Sequence, residues 1–384
     1  MDTGARGISP VVGIALLIVI VTLLGAVSAT MVFDLSEERE PAPNVAFELE
    51  PGEDGITHEI VHEGGETLDG DKVTIQGVAE STALDGRELV TGEAASVIPT
   101  DEEITLVYTG EHGTTYTLWT AQPETSVPAP DEGCEWVESE SDNGTESVKV
   151  DGLVVDCDVT TDKGVEVYDS GAIIGDTESQ DKTIDVDDAK LYGDATAEDT
   201  VNIMNSMATG TAVSTTADVK IDNSSISGSL QGEEVVEVIN GGTVEGDATA
   251  KKTVKIINST ATGTAVSTTA DVKIDNSSIS GSLQGQKVVE VSNGGTVEGD
   301  AVSTNKNVKI VGGSTIGGDA VSTHDQVKVD KASTVEGDIN GDSVELTDAT
   351  VEGDVYTDGD FKCTNSTING QSCDSYSPKD SDDY

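Results

Sequence analysis

Five residues of this 384-residue chain spell a metalloprotease motif. His58-Glu59-Ile60-Val61-His62 matches HExxH, in which two histidines hold zinc and the glutamate activates its water. The chemistry needs a helix, where residues four apart share one face. Here Ile56, Thr57, Ile60 and Val61 favour a strand that Gly64-Gly65 ends, leaving the histidines about 13 Å apart. His112 and His324 offer no third-ligand spacing. A second candidate is the column of aspartates that succeeds a recurring glycine: Asp176, Asp194, Asp247, Asp300, Asp319, Asp338 and Asp354. Stacked carboxylates are hard ligands for cations. Thr211, Ser229, Thr264 and Ser282 interrupt the column, and the GGxGxD nonapeptide of calcium β-rolls is absent, so solvated turn acids are expected. Acidic pairs on a repeat rod also raise the class of polysaccharide hydrolases and lyases. Those enzymes need a cleft with placed carboxylates and aromatic platforms, whereas no tryptophan occurs after Trp136. The chain therefore reads as non-enzymatic, with no catalytic residue, metal site or cofactor.

Four cysteines, Cys134, Cys157, Cys363 and Cys373, allow three connectivities. Cys134 precedes the first repeat and Cys157 takes its glycine position, while Cys363 and Cys373 lie in the last, so the expected bridges are Cys134–Cys157 and Cys363–Cys373, one at each end. Five asparagines, Asn143, Asn223, Asn258, Asn276 and Asn365, satisfy the Asn-x-Ser/Thr sequon for N-glycosylation.

The elements behind these residues arise from a repeat. Apolar pairs two residues apart start at Val148, Val165, Ile184, Val201, Val219, Val236, Val254, Val272, Val289, Val308, Val327, Val344 and Phe361, a spacing of 17 to 19 residues. A glycine, often within a Val-Glu-Gly-Asp sequence, comes nine or ten residues after most of these starts. This cadence predicts a β-solenoid of about thirteen turns over residues 148–373, with Val219 and Ile221 inside and Lys220 in water. At about 4.8 Å per turn the rod is roughly 60 Å long. The middle residues run Lys220, Glu237, Lys255, Lys273, Glu290, Lys309, Lys328, Glu345 and Lys362, which reads as charge pairing along the rod. Residues 208–248 and 261–301 are near-duplicates that differ only at Glu233/Gln286, Glu234/Lys287 and Ile239/Ser292, and the 53-residue offset equals three turns.

Ahead of the rod, 44–121 carries the short alternating strands of a small antiparallel β domain, expected to be a sandwich. Residues 34–43 form a charged stalk, 122–147 a Pro-rich linker and cap, and 374–384 an acidic tail expected to be disordered. The fold class is mainly β. With 73 acidic residues against 20 basic ones, the net charge is −53, which excludes a basic footprint for nucleic acid and matches the acidic surfaces of halophile proteins.

Ile8 to Phe33 carries no charge and is long enough to cross a bilayer as a helix. Arg6 ahead of this stretch predicts an internal N-terminus and export of the residues after Phe33. The stretch RGISPVVGIALLIVIVTLLGAV resembles the leader and N-terminal helix of archaeal type IV pilin-like proteins, and ITHEIVHEGGETLDGDKVTI is similar to the Gly-Gly-rich stretch behind that helix in haloarchaeal members. The resemblance implies a leader over 1–7, a prepilin peptidase that cuts between Gly7 and Ile8, and a helix over 8–33 that serves as membrane anchor or as the packed core of a homo-oligomeric filament. TVEGDINGDSVELTDATVEGDV resembles the bactofilins, polymer-forming β-helices, for which the architecture alone is carried over. The expectation is a structural cell-surface protein, single-pass with its C-terminal domains outside. It either assembles through its helix into a pilus-like filament or stays anchored as a spacer or adhesin.

Overall fold

The computed structural model describes residues 14–15, 17–24, 42–52, 56–79, 81–110 and 113–384. Gly7, Ile8, His112 and stalk residues 34–41 lie outside the described residues. Of the expected helix over 8–33, residues 14–15 and 17–24 are helical, with Ile14, Leu17, Leu23 and Leu24 exposed. Among the described residues no helix is long and apolar enough to cross a membrane.

Period-two alternation builds the first β unit, because apolar side chains of a strand must share one face to reach a core. Its strands are β1 (Val45–Pro51), β2 (His58–Gly65), β3 (Leu68–Asp69), β4 (Val73–Gln76), β5 (Glu88–Leu89), β6 (Ala94–Val97), β7 (Ile104–Thr109) and β8 (Thr115–Ala121). Strands β1, β2 and β6 form one antiparallel sheet in that order, and β4, β7 and β8 form another. Phe47, Ile60 and Val97 of the first sheet join Val73, Ile75, Ile104 and Leu106 of the second in one core, which makes the unit a sandwich.

Each turn of the rod has three short strands, and three corners that let the chain come back over itself. In one turn the first side is Val219–Asp222, the second Ser225–Ile226 and the third Leu230–Gly232. All three pair in parallel with the next turn: Val219 with Val236, Ile226 with Val244, Leu230 with Ala248. Val219, Ile221, Ile226 and Leu230 are all fully buried, and their equivalents in other turns form one continuous core. The expected thirteen turns come out as about twelve. Phe361–Thr364 and Thr367–Ile368 begin a further turn, but Gln371–Ser372 then folds back antiparallel on the second side in place of a third side.

Both ends are covered. At the start, β9 (Glu132–Gly133) adds a parallel strand to the second side, and α1 (Cys134–Asp142) inserts Val137 into the rod core. At the other end, residues 374–384, expected to be disordered, are ordered against the last turns. Lys379 forms a parallel bridge to Tyr356, its N–H donating to Val355 O at 2.9 Å while Thr357 N–H donates to Lys379 O at 3.0 Å. The tail holds because an open parallel edge offers unpaired backbone groups, and its sequence supplies Tyr376 and Tyr384 to pack there.

The sandwich is docked on the side of the rod. Ile174, Tyr192 and Met207 face outward on the second side, where most later turns carry Ser, Thr or Glu, and they pack with Val127, Ile56, Ala79 and Ile98. Residues 122–147 thus include a docking segment anchored by Val127 as well as the cap.

Candidate functional site

The HExxH residues lie on β2, whose alternation sends the histidines in and the glutamate out. His58 and His62 are buried and Glu59 is exposed. A water-activating glutamate cannot serve a metal held on the opposite face of its own strand. His58 Nε2 accepts the Glu124 backbone N–H at 3.2 Å, which leaves Nδ1 to carry the proton and donate to Ile56 O at 3.2 Å. His58 therefore ties the sandwich to the linker, while His62 packs against Phe47 at a ring separation of 5.2 Å.

The aspartate column occupies the corner between second and third sides, and its carboxylates serve the stack. Asp158 Oδ1 accepts the Asp176 N–H at 2.8 Å, Asp176 accepts that of Asp194 at 2.9 Å, and Asp194 that of Thr211 at 2.6 Å. The same relay runs through Asp300, Asp319, Asp338 and Asp354. Where serine replaces aspartate the bond persists: Ser229 Oγ accepts the Asp247 N–H at 3.1 Å and Ser282 Oγ that of Asp300 at 3.0 Å. Position, not charge, is what the aspartates and serines share: a short side chain with an acceptor oxygen aimed at the turn above. The relay thus passes through the serines as well as the aspartates and stops at Thr211 and Thr264, whose backbone N–H groups donate to Asp194 and Asp247 of the turn below. The preceding glycine is required by the same stacking, since a Cβ on Gly228 would fall inside van der Waals contact of the Gly210 carbonyl.

The corner between first and second sides is an asparagine ladder. Asn205, Asn223, Asn240, Asn258, Asn276, Asn293 and Asn365 all have φ between 46° and 54°, the left-handed region that asparagine tolerates better than other side-chain-bearing residues. Asn223 Nδ2 donates to Asn205 Oδ1 at 3.0 Å, Asn276 Nδ2 to Asn258 Oδ1 at 2.8 Å, and Asn240 Nδ2 to Asp222 Oδ1 at 2.8 Å. The next residue is often a buried serine bonded across turns, as where Ser224 Oγ accepts the Ser206 N–H at 3.0 Å and donates to Asp222 O at 2.7 Å. Four of the five sequons, at Asn223, Asn258, Asn276 and Asn365, are this corner read as a motif. Asn143 is different: it comes just after α1, and residues 142–146 are all exposed.

The structure joins Cys134 to Cys157 across the first turn and Cys363 to Cys373 across the last, with Cα separations of 5.2 and 5.6 Å. On the first side, Lys149 meets Glu166 at 3.0 Å, Lys255 meets Glu237 at 3.2 Å and Lys328 meets Glu345 at 2.8 Å. The Ser147 hydroxyl, ahead of Lys149, holds the Glu166 carboxyl below its ordinary range, and Lys328 does the same for Glu345. Where lysines adjoin, as at Lys255 and Lys273, the second turns to its own turn's Asp271 at 3.8 Å. At the tail, Lys379 bonds Asp354 at 2.6 Å and depresses its pKa. Burial and the Asp319 carboxylate, which accepts the Tyr384 hydroxyl at 2.8 Å, push that phenol above its usual range.

A cleft of about 610 Å³ runs between sandwich and rod, lined among others by Thr57, Ser96, Asp156 and Gly175. Sequence reasoning missed this junction. Its signal was available in the outward apolar pair Ile174 and Tyr192, which break the polar habit of their column.

No family model matches the chain. A segment of 82 residues, 21% of the chain, is 37% identical to a protein of Archaeoglobus fulgidus described as uncharacterized, and the match spans 58% of that relative's length.

Proposed function

We propose that this chain is a structural protein of the cell surface, in which a type IV pilin-like N-terminal segment carries a sandwich and a stiff acidic rod away from the membrane. The observation that carries the reading is the closed stack: corner side chains that could have held a ligand are engaged in bonds between turns, and helix, tail and disulfides cover both ends. Such an object supplies length and stiffness. Covered ends also separate it from β-helices that polymerise end to end, so assembly falls to the N-terminal segment, whose described apolar side chains are exposed.

The test is N-terminal sequencing of the native protein with electron microscopy of sheared surface material. A mature chain that begins at Ile8, and is trapped as uncut precursor by Gly7→Val, supports the pilin-like reading. A native chain that begins at Met1 removes it. Filaments that contain the protein assign it as a subunit, whereas membrane-bound protein without filaments assigns it as an anchored spacer.

A further inference from the structure

The geometry points to Asn143 as the residue of this chain built to accept an N-linked glycan, with the other four sequons reserved for the fold; this rests on the surface reading for its setting but not for its test. In N-glycosylation the asparagine amide nitrogen attacks C1 of a sugar on a lipid-linked phosphate or diphosphate donor. The new C–N bond forms as the C–O bond to phosphate breaks, phosphate leaves with the electron pair, and the nitrogen loses one proton to a base of the transferase. The enzyme must grip the asparagine, the residue after it and the hydroxyl at the third position together.

Asn143-Gly144-Thr145 comes nearest to that demand, its Thr145 hydroxyl held only by a local bond to Ser147 O at 3.0 Å. It lies between α1 and the first strand of the rod, Ser147–Asp151, in the run of five exposed residues 142–146. Its backbone is outside every ladder. The corner sequons are the reverse. Their asparagines sit at φ of 46–51°, and the middle residues Ser224, Ser259, Ser277 and Ser366 are each 6% exposed. The amide nitrogens of Asn223, Asn276 and Asn365 already donate to the turn below. Presenting such a corner to an enzyme means unstacking a turn from both neighbours.

The experiment offers the folded full-length chain in detergent to an archaeal single-subunit oligosaccharyl transferase with a short lipid-linked oligosaccharide, beside five synthetic peptides that span the sequons. Glycopeptide mapping is expected to find Asn143 modified in the folded chain. The four corner sites should react at least about tenfold more slowly than their own peptides, because access requires local opening of the stack. Asn143→Gln should abolish the glycan. Asn223→Gln should keep it while lowering the thermal midpoint. Corner modification at peptide-like rates, or a folded chain with no glycan on Asn143, overturns the assignment. The surface reading fails separately, through an internal location of the native protein, without altering this result.

Discussion

Asparagine at φ near +50° and glycine under a neighbouring carbonyl are two answers to one demand, that a chain turn sharply while another copy of the turn lies about 4.8 Å away. At Asn223 the φ of 47° costs a β-branched residue most, and the amide would be lost as well. Asn223→Val is expected to destabilise the rod by about 2 kcal/mol in urea unfolding, and Asn223→Gly by less, since glycine keeps the backbone conformation and forfeits only the side-chain bond. At Gly228 the demand is space. Gly228→Ala should cost about 1–3 kcal/mol, as the Cβ can be relieved only by prising turns apart, whereas Gly64→Ala, with nothing within 4 Å, should be near neutral. Equal effects at both glycines would remove the stacking argument. The two near-duplicate blocks provide an internal comparison. Glu233 and Glu234 pair with Lys251 and Lys252 of the next turn, and where the later copy has Thr304 and Asn305 in place of those lysines, the glutamates have become Gln286 and Lys287.

At the scale of elements, the ends differ from the middle in their response to pH. Lys379 depresses the pKa of Asp354, so the folded carboxylate sits below its unfolded value. A depressed acid stabilises above the unfolded pKa of about 4, and that stabilisation is lost as pH falls through the folded value. Between pH 7 and pH 3 the tail should loosen: exchange at the Thr357 and Lys379 amides, corrected for intrinsic rate, should rise while central turns stay protected. Protection of those two amides that is unchanged at pH 3 would dismiss Asp354 as the tail's anchor. The tail also shows where sequence reading stops. Triplets were legible because alternation repeated in every turn makes an unmistakable period, and β2 was legible as a strand because its β-branched residues outweighed the motif they carried. Residues 374–384 read as disorder because Asp and Ser dominate their composition, yet Tyr376, Lys379 and Tyr384 find partners that exist only once the last turn is closed. The sandwich–rod junction was hidden for a related reason. Taken singly, Ile174 and Tyr192 look like additional core residues, and only alignment of the turns shows that their column is otherwise polar and points out of the rod. The ladder role of Asp and Ser at one corner was obscured because a charged and a neutral side chain share it, and only the backbone N–H of the adjoining turn reveals the common acceptor.

For the whole molecule, a stack with nearest-neighbour contacts can change length without changing kind. Deleting residues 208–260 joins Met207 to Ala261, which carries the same inward alanine that Ala208 presents over Leu191. The shortened rod should fold in register, lose about 14 Å of length by small-angle scattering, and unfold at a modestly lower midpoint. Deleting nine residues from the same block should turn inward positions outward and leave those turns open to protease. Collapse of the 53-residue deletion would show that the turns are not interchangeable. Contact only between neighbours also gives the rod a mechanical character. The two disulfides close loops of 23 and 10 residues at the extremities and cross-link nothing between, so tension on the chain meets no covalent barrier in the central turns. Each turn that peels away releases about 18 residues, or roughly 60 Å of contour, in exchange for one strand spacing of the stack. Pulled from its ends in a force spectrometer, the molecule should lengthen in even steps of that size at a nearly constant force and recoil when released. That is the behaviour of a tether that yields before it breaks.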